Sequence, residues 1–323
     1  MPAYVSARVR REGDNTMSTP DATIVPRQLV VLSGKGGTGK TSIVAALAAL
    51  VSDKVLADCD VDAADLHLVL NPTLRRRASF VAGKEAYIRP ERCSACGDCM
   101  DLCRFHAIGM SAENGGRPVY AVDPLACEGC GLCARVCTCN AVEMLEPERG
   151  EWFVSDTRHG VLVHARLNVG GENSGKLVTL VRNQALALAQ EAGACLVLVD
   201  GPPGVGCPVI ASVTGADLLL AVTEPTVSGS HDLERAAELV QSFGLPLAVC
   251  INKCDLNPDM AKRIRDLCTD RGFPVVGELD YDIAVVRAQV EGKSIVEYGD
   301  SPVADQIRGM WTILNSMLKN LEA

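Results

Sequence analysis

Two stretches of this chain carry residues whose types and spacing can do chemistry. The first is Ser33 to Ser42, SGKGGTGKTS, in which Gly34, Gly39, Lys40 and Thr41 fit the phosphate-loop pattern G-x-x-x-x-G-K-[ST]. In such a loop the backbone N–H groups of Gly34, Lys35, Gly36, Gly37, Thr38 and Gly39 cradle phosphates. Lys40 reaches the terminal ones, and Thr41, followed by Ser42, ligates Mg²⁺. One lysine suffices for that chemistry, yet this loop has a second, Lys35.

The second stretch runs from Cys93 to Cys139 and holds nine of the fifteen cysteines. Cys93, Cys96, Cys99 and Cys103 recur 34 positions later as Cys127, Cys130, Cys133 and Cys137. The register extends outside the cysteines. Ile88 and Pro90 match Val122 and Pro124, and Ala107 and Ile108 match Ala141 and Val142, so the segment is an internal duplication. The spacing C-x₂-C-x₂-C-x₃-C, twice, is that of bacterial two-cluster ferredoxins, where the fourth cysteine of each run serves the other cluster. It assigns Cys93, Cys96, Cys99 and Cys137 to one [4Fe–4S] cluster, and Cys127, Cys130, Cys133 and Cys103 to the other. Zinc sites pair C-x₂-C with a distant second pair and do not place four cysteines in eleven residues twice over. Arg104 and Thr138 stand where ferredoxins usually have Pro, a change that removes no ligand. Cys139 is surplus and reads as a small packed residue.

Carboxylates and amides follow other apolar runs. ADCDVDAADLHL offers Asp60, Asp62 and Asp65. A carboxylate there can orient an attacking water or hold Mg²⁺ through water, as Asp60 would, while Asp65 reads as a helix cap. LVLVDGPPGVGCP ends its apolar run in Asp200, the position of a Walker B aspartate that holds Mg²⁺ through water. INKCD sets Asn252, Lys253 and Asp255 where a base would lie, and because N-K-x-D also reads guanine, GTP stands open beside ATP.

The elements that must position these residues read as alternating strands and helices. QLVVLS precedes the phosphate loop and SIVAALAALVS follows it as a helix; VLAD, CLVLVD, LLLAV, LAVCIN and FPVVGEL are further short apolar strands. Such a series predicts an α/β fold, a doubly wound, mostly parallel sheet with its chemistry at the strands' C-terminal ends. Residues 84–148 interrupt it and read as a small inserted α+β ferredoxin-like domain. The nucleotide-binding domain is then discontinuous, 27–83 and 149–323, behind an N-terminal arm of residues 1–26 expected to be disordered.

Composition narrows the function classes. A net charge of −9 argues against a duplex-binding face, and 4% aromatic residues against a base-stacking one. The first sixteen residues have no apolar core of a secretory signal, and Met17 reads as an alternative start. Cysteines without a signal peptide fit metal chemistry in a reducing cytoplasm. The C-terminal segment carries an apolar helical stripe from Val303 to Leu321, but its charges sum to zero. A packing helix is therefore expected, not a membrane-surface one.

Together the phosphate loop with Lys35, the D-x-D after the second strand and the Asp200 loop resemble the MinD/Mrp superfamily of P-loop ATPases, relatives of nitrogenase iron protein and ParA. The resemblance covers nearly everything after residue 26 and is closest to the branch with an inserted ferredoxin domain. That branch is often labelled cobyrinic acid a,c-diamide synthase, a label discounted here because no residues remain for a glutaminase domain. The resemblance implies ATP with Asn252 on the adenine, a homodimer or a pseudo-dimer with a related ATPase, and Lys35 reaching the partner's phosphates. Asp62 would be the water-orienting carboxylate. It implies ATP hydrolysis coupled to electron transfer through two [4Fe–4S] clusters to a redox partner protein. Assembly or carriage of a metal cofactor, as in Mrp-like relatives, is the alternative; positional regulation, as in MinD, is a third. Neither nucleic acid nor membrane is an expected partner. Cys207, seven residues past Asp200, is weighed as a bridging ligand and set aside for want of a second cysteine nearby.

Overall fold

The computed structural model describes residues 25–114, 117–168, 170 and 174–321, so the expected N-terminal arm lies almost wholly outside the described residues. The strands are β1 (Arg27–Ser33), β2 (Lys54–Asp58), β3 (Thr73–Val81), β4 (Glu85–Ile88), β5 (Ile108–Asn114), β6 (Arg117–Val122) and β7 (Val142–Leu145). They continue as β8 (Glu148–Thr157), β9 (Gly160–Leu167), β10 (Leu196–Pro203), β11 (Leu218–Thr223), β12 (Leu247–Asn252) and β13 (Val275–Leu279). Helices are α1 (Lys40–Leu50), α2 (Leu66–Leu70), α3 (Asp98–Asp101), α4 (Leu132–Val136), α5 (Ser174–Ala192) and α6 (Cys207–Val213). The rest are α7 (Val227–Ser242), α8 (Pro258–Arg271), α9 (Ile283–Val290), α10 (Ile295–Tyr298) and α11 (Pro302–Asn320).

Nine strands form one sheet in the order β13-β12-β11-β1-β10-β2-β9-β8-β3. From β13 to β9 neighbours run parallel; β8 and β3 are added antiparallel at the far edge. The two-residue period of a strand explains why the central runs are apolar throughout. Val30, Leu32, Val197 and Val199 face one layer of helices, while Leu29, Val31, Leu196 and Leu198 face the other. Each fully buried Leu or Val contributes about 1.5–3 kcal/mol, so this double layer fixes the register of the strand ends where chemistry sits.

α11 packs its stripe of Val303, Ile307, Met310, Leu314 and Leu318 into the second layer, as a packing helix should. Residues 82–147 leave the large sheet between β3 and β8. They build two small pairs, β4 with β7 and β5 with β6, plus the short helices α3 and α4 around Ala86, Ile88, Ile108 and Val142. No described helix is long and apolar enough to cross a membrane.

Candidate nucleotide site and thiol module

The phosphate loop bridges β1 and α1. Gly37 (φ 82°) and Gly39 (φ 90°) adopt left-handed backbone, which folds the loop back before Lys40 starts the helix. Gly39 has a second reason to lack a side chain: a Cβ there would sit 2.3 Å from the Asn252 amide nitrogen. That amide donates to the Thr38 carbonyl at 2.7 Å, and the Lys253 ammonium donates to the Gly37 carbonyl at 3.2 Å. The end of β12 therefore braces the loop from beneath.

Lys40, 6% exposed, points at the end of the central strand β10. Its Nζ lies 2.5 Å from Asp200 Oδ1 and 3.8 Å from Asp60 Oδ2, and the Thr41 hydroxyl donates to Asp200 Oδ2 at 2.8 Å. Burial alone would lower the Lys40 pKa; Asp200, with Asp58 and Asp60 behind it, outweighs burial and raises it. Asp60 is itself pushed up to about 6, by burial first. Asp200 and Asp60 thus face one ammonium, and Asp200 also holds the Thr41 hydroxyl, so carboxylate oxygens are gathered beside that hydroxyl.

Asp58 is the residue that sequence reasoning missed. It is fully buried at the last position of β2, in register with Asp200 on β10. Burial and the Asp200 charge push its pKa well up. Its carboxylate accepts the N–H groups of Asp60 (3.1 Å) and Leu66 (3.2 Å), folding the β2–α2 loop so that Asp60 reaches Lys40. A signal was present, since β2 and β10 both end an apolar run in Asp. Asp65 stands at the N-cap of α2 without a capping side-chain bond; Asp58 takes that role. Asp62, expected to orient water, lies exposed, and the carboxylate placed against Lys40 is Asp60.

Lys35 is engaged within the chain. Its Nζ is 2.6 Å from Glu224 Oε1 and 3.1 Å from the Ser228 hydroxyl, while Lys253 holds the other Glu224 oxygen at 3.2 Å. Burial would raise the Glu224 pKa, but the two lysines hold it below the usual carboxylate range. Beside the loop lies a cavity of about 200 Å³ lined by Asn252, Lys253, Asp280, Tyr281, Val285 and Gln289 among others. Asp255 turns away to accept the Tyr281 N–H at 2.6 Å. Asn252 has both ends of its amide occupied, accepting the Lys253 N–H at 3.0 Å besides bonding Thr38.

Comparison with known proteins agrees with this geometry. A model of the CobQ/CobB/MinD/ParA nucleotide binding domain matches residues 29–295. The chain belongs to that family. It is 36% identical over 297 residues to the uncharacterized protein MJ0578 of Methanocaldococcus jannaschii, covering 90% of this chain and 97% of that one. Among solved structures it is similar to the cell division ATPase MinD of Pyrococcus furiosus, with TM-score 0.54 and 17% identity over 90% of this chain and 99% of that one. It is also similar to MinD of Pyrococcus horikoshii solved with Mg-ADP, with TM-score 0.54 and 16% identity over 92% and 98%. At these identities the likeness establishes the fold, an α/β P-loop domain with a large, mostly parallel sheet.

This MinD/ParA-type domain carries the thiol module on the edge of its sheet. The duplication read in sequence is also present in the backbone. Ala95 and Gly129 (φ 60° and 62°), Gly97 and Gly131 (86° and 73°), and His106 and Asn140 (51° and 49°) are left-handed pairs 34 positions apart. The fourth thiols are treated alike too: Ala107 N–H lies 3.4 Å from Cys103 Sγ, and Ala141 N–H 3.2 Å from Cys137 Sγ. Each fourth thiol thus accepts the backbone N–H of the residue four positions further on. Cys103, Cys127, Cys130 and Cys133 line one narrow cavity. Among the described residues no three His, Cys, Asp or Glu side chains converge as a single bound ion would require. Cys139 is half-buried, with its sulfur 3.5 Å from that of Cys137. Cys207 is exposed at the first residue of α6.

Proposed function

We propose that this protein binds and hydrolyses ATP with Mg²⁺ and couples that cycle to electron transfer through two [4Fe–4S] clusters held by its inserted module. The observation that carries the nucleotide half is the single buried carboxylate of Asp200 joined to both Lys40 and Thr41. Phosphates arriving on the loop would draw Lys40 from Asp200, and Thr41, with Asp200 through water, would hold the Mg²⁺ that offsets their charge. Asp60, near Lys40, would orient the attacking water in place of Asp62. The turned-away Asp255 removes the guanine-reading partner and supports ATP over GTP.

When bound, [4Fe–4S] clusters supply one-electron chemistry. Cys93, Cys96, Cys99 and Cys137 would hold one, and Cys103, Cys127, Cys130 and Cys133 the other; the paired N–H···S bonds and left-handed turns support that assignment. Lys35 would leave Glu224 to meet the phosphates of a second subunit, in a homodimer or with a related ATPase, and closure would alter the exposure of the module.

A second reading, a MinD-like positional switch, is favoured by the fold likeness. Against it, α11 spends its apolar stripe on the core. Anaerobic purification followed by a potentiometric EPR titration, with and without MgATP, separates the two. Two low-potential signals that shift with MgATP are expected. A chain that hydrolyses ATP yet takes up no iron leaves the switch, and potentials indifferent to MgATP point to cofactor assembly.

A further inference from the structure

We propose that Cys137 and Cys139 form a dithiol–disulfide pair, a redox site beyond the eight thiols of the duplicated pattern. The duplication places every cysteine from Cys93 to Cys137 in a matched position and leaves Cys139 alone, because its counterpart 34 positions earlier is Phe105. The asymmetry has a structural content. The Cys139 sulfur lies 3.5 Å from that of Cys137 and 3.8 Å from the hydroxyl of Ser94. Cys137 has extended backbone (φ −72°, ψ 100°) and Asn140 turns the chain left-handed just beyond the pair (φ 49°). The segment thereby presents both thiols on the same side. Sulfurs already in van der Waals contact need only side-chain rotation to reach the roughly 2.05 Å of a bond. Both residues are half-buried, within reach of a small reagent.

The oxidant is a low-molecular-weight disulfide. The thiolate of Cys139 attacks one of its sulfurs, breaking that S–S bond and releasing one small thiol. Cys137 thiolate then attacks the Cys139 sulfur of the mixed disulfide, closing the Cys137–Cys139 bond and expelling the second small thiol. Two electrons leave the protein pair and reduce the reagent, and the two protein protons end on the released thiols. The consequence for metal rests on the cluster reading above. An oxidised pair withdraws Cys137 from the set Cys93, Cys96 and Cys99, so that set loads only after reduction, while the other set is untouched.

The test uses the full chain prepared without iron, reduced, then exposed anaerobically to glutathione disulfide and alkylated with iodoacetamide. Trypsin releases Val136–Arg149, which contains these two cysteines and no others. The proposal expects this peptide unalkylated and two hydrogens lighter than the dithiol, and in Cys139→Ser it expects Cys137 alkylated or glutathionylated. A doubly alkylated peptide, or either cysteine linked elsewhere in the chain, overturns the pair. Iron uptake is measured alongside. The oxidised parent should take up about half the iron of the reduced one, and Cys139→Ser the full amount in both states. If the pair closes but uptake is unchanged, the dithiol stands and the cluster assignment of Cys137 fails. If uptake is full and the pair never closes, the dithiol alone fails. Nucleotide binding by Cys139→Ser, unchanged from the parent, shows that the variant is folded.

Discussion

Glu224 sits between two lysines of the nucleotide site, Lys35 and Lys253. Half-buried and charged, it would compete with a bound nucleotide for them. Glu224→Gln keeps the hydrogen-bonding shape and removes the competitor, so affinity for MgATP should rise about threefold by titration calorimetry. A fall in affinity would mean that Glu224 shapes the loop rather than guarding it. A second residue-scale effect belongs to His164 on β9, whose ring stacks on His67 and Phe153 and lies 3.1 Å from the Ser155 hydroxyl. Burial, and then His67, pushes its pKa down to about 4. The unfolded chain protonates this imidazole near pH 6.5, so below that the unfolded state takes up a proton the folded state refuses. The stabilisation is full above pH 6.5 and is lost as the pH falls toward 4. His164→Gln should shrink the loss of urea-unfolding free energy between pH 7 and pH 5 by about 1–2 kcal/mol. An unchanged loss would place the acid sensitivity elsewhere. Both residues escape a reading of sequence for the same reason: neither belongs to a motif, and each acquires its role from side chains far away in the chain.

At the scale of elements, the two halves of the module are alike in sequence yet unequal in their surroundings. Ala95 and Gly129 share a left-handed conformation, but a Cβ at Gly129 would meet the Lys84 carbonyl oxygen at 2.1 Å. Gly129→Ala therefore costs more than the roughly 1–2 kcal/mol of left-handed backbone, whereas Ala95→Gly relieves strain of about that size. Hydrogen exchange should show the segment from β4 to β7 at least about tenfold less protected in the first variant and no less protected in the second. Equal behaviour would mean that Lys84 moves aside freely. The large sheet teaches a related lesson. Its parallel core was legible because strands buried on both faces must be apolar. The β3–β8–β9 extension was not, since β3 at the open edge carries Arg75, Arg76 and Arg77, with Arg75 and Arg77 paired across to Asp156 and Glu151. Charge protects an exposed edge from pairing with other chains, and the same charge hides the strand from a search for apolar runs.

For the whole molecule, the question is whether the module is an accessory or a structural part. Val81 and Glu148 are cross-strand partners where β3 and β8 leave the sheet, so the chain exits and re-enters at one point. Replacing residues 82–147 with an Asn-Gly turn should close this pair as an ordinary hairpin. The product is expected to fold, to bind MgATP within about twofold of the parent, and to bind no iron, since Asp60, Asp200, Glu224 and Asn252, which hold the phosphate loop's side chains and backbone, all lie outside the replaced segment. Loss of nucleotide binding would instead make the module integral to the domain. Sequence alone determined the phosphate loop, the parallel core and the duplicated thiols, because each rests on local spacing or on a period set by backbone geometry. Only the tertiary structure decided that Asp60, not Asp62, faces Lys40, that Asp58 shapes the loop between them, that Lys35 rests on Glu224, and that Cys139 lies against Cys137. Those choices depend on which strand ends lie side by side, and that is fixed by the packing of the whole sheet rather than by any stretch within it.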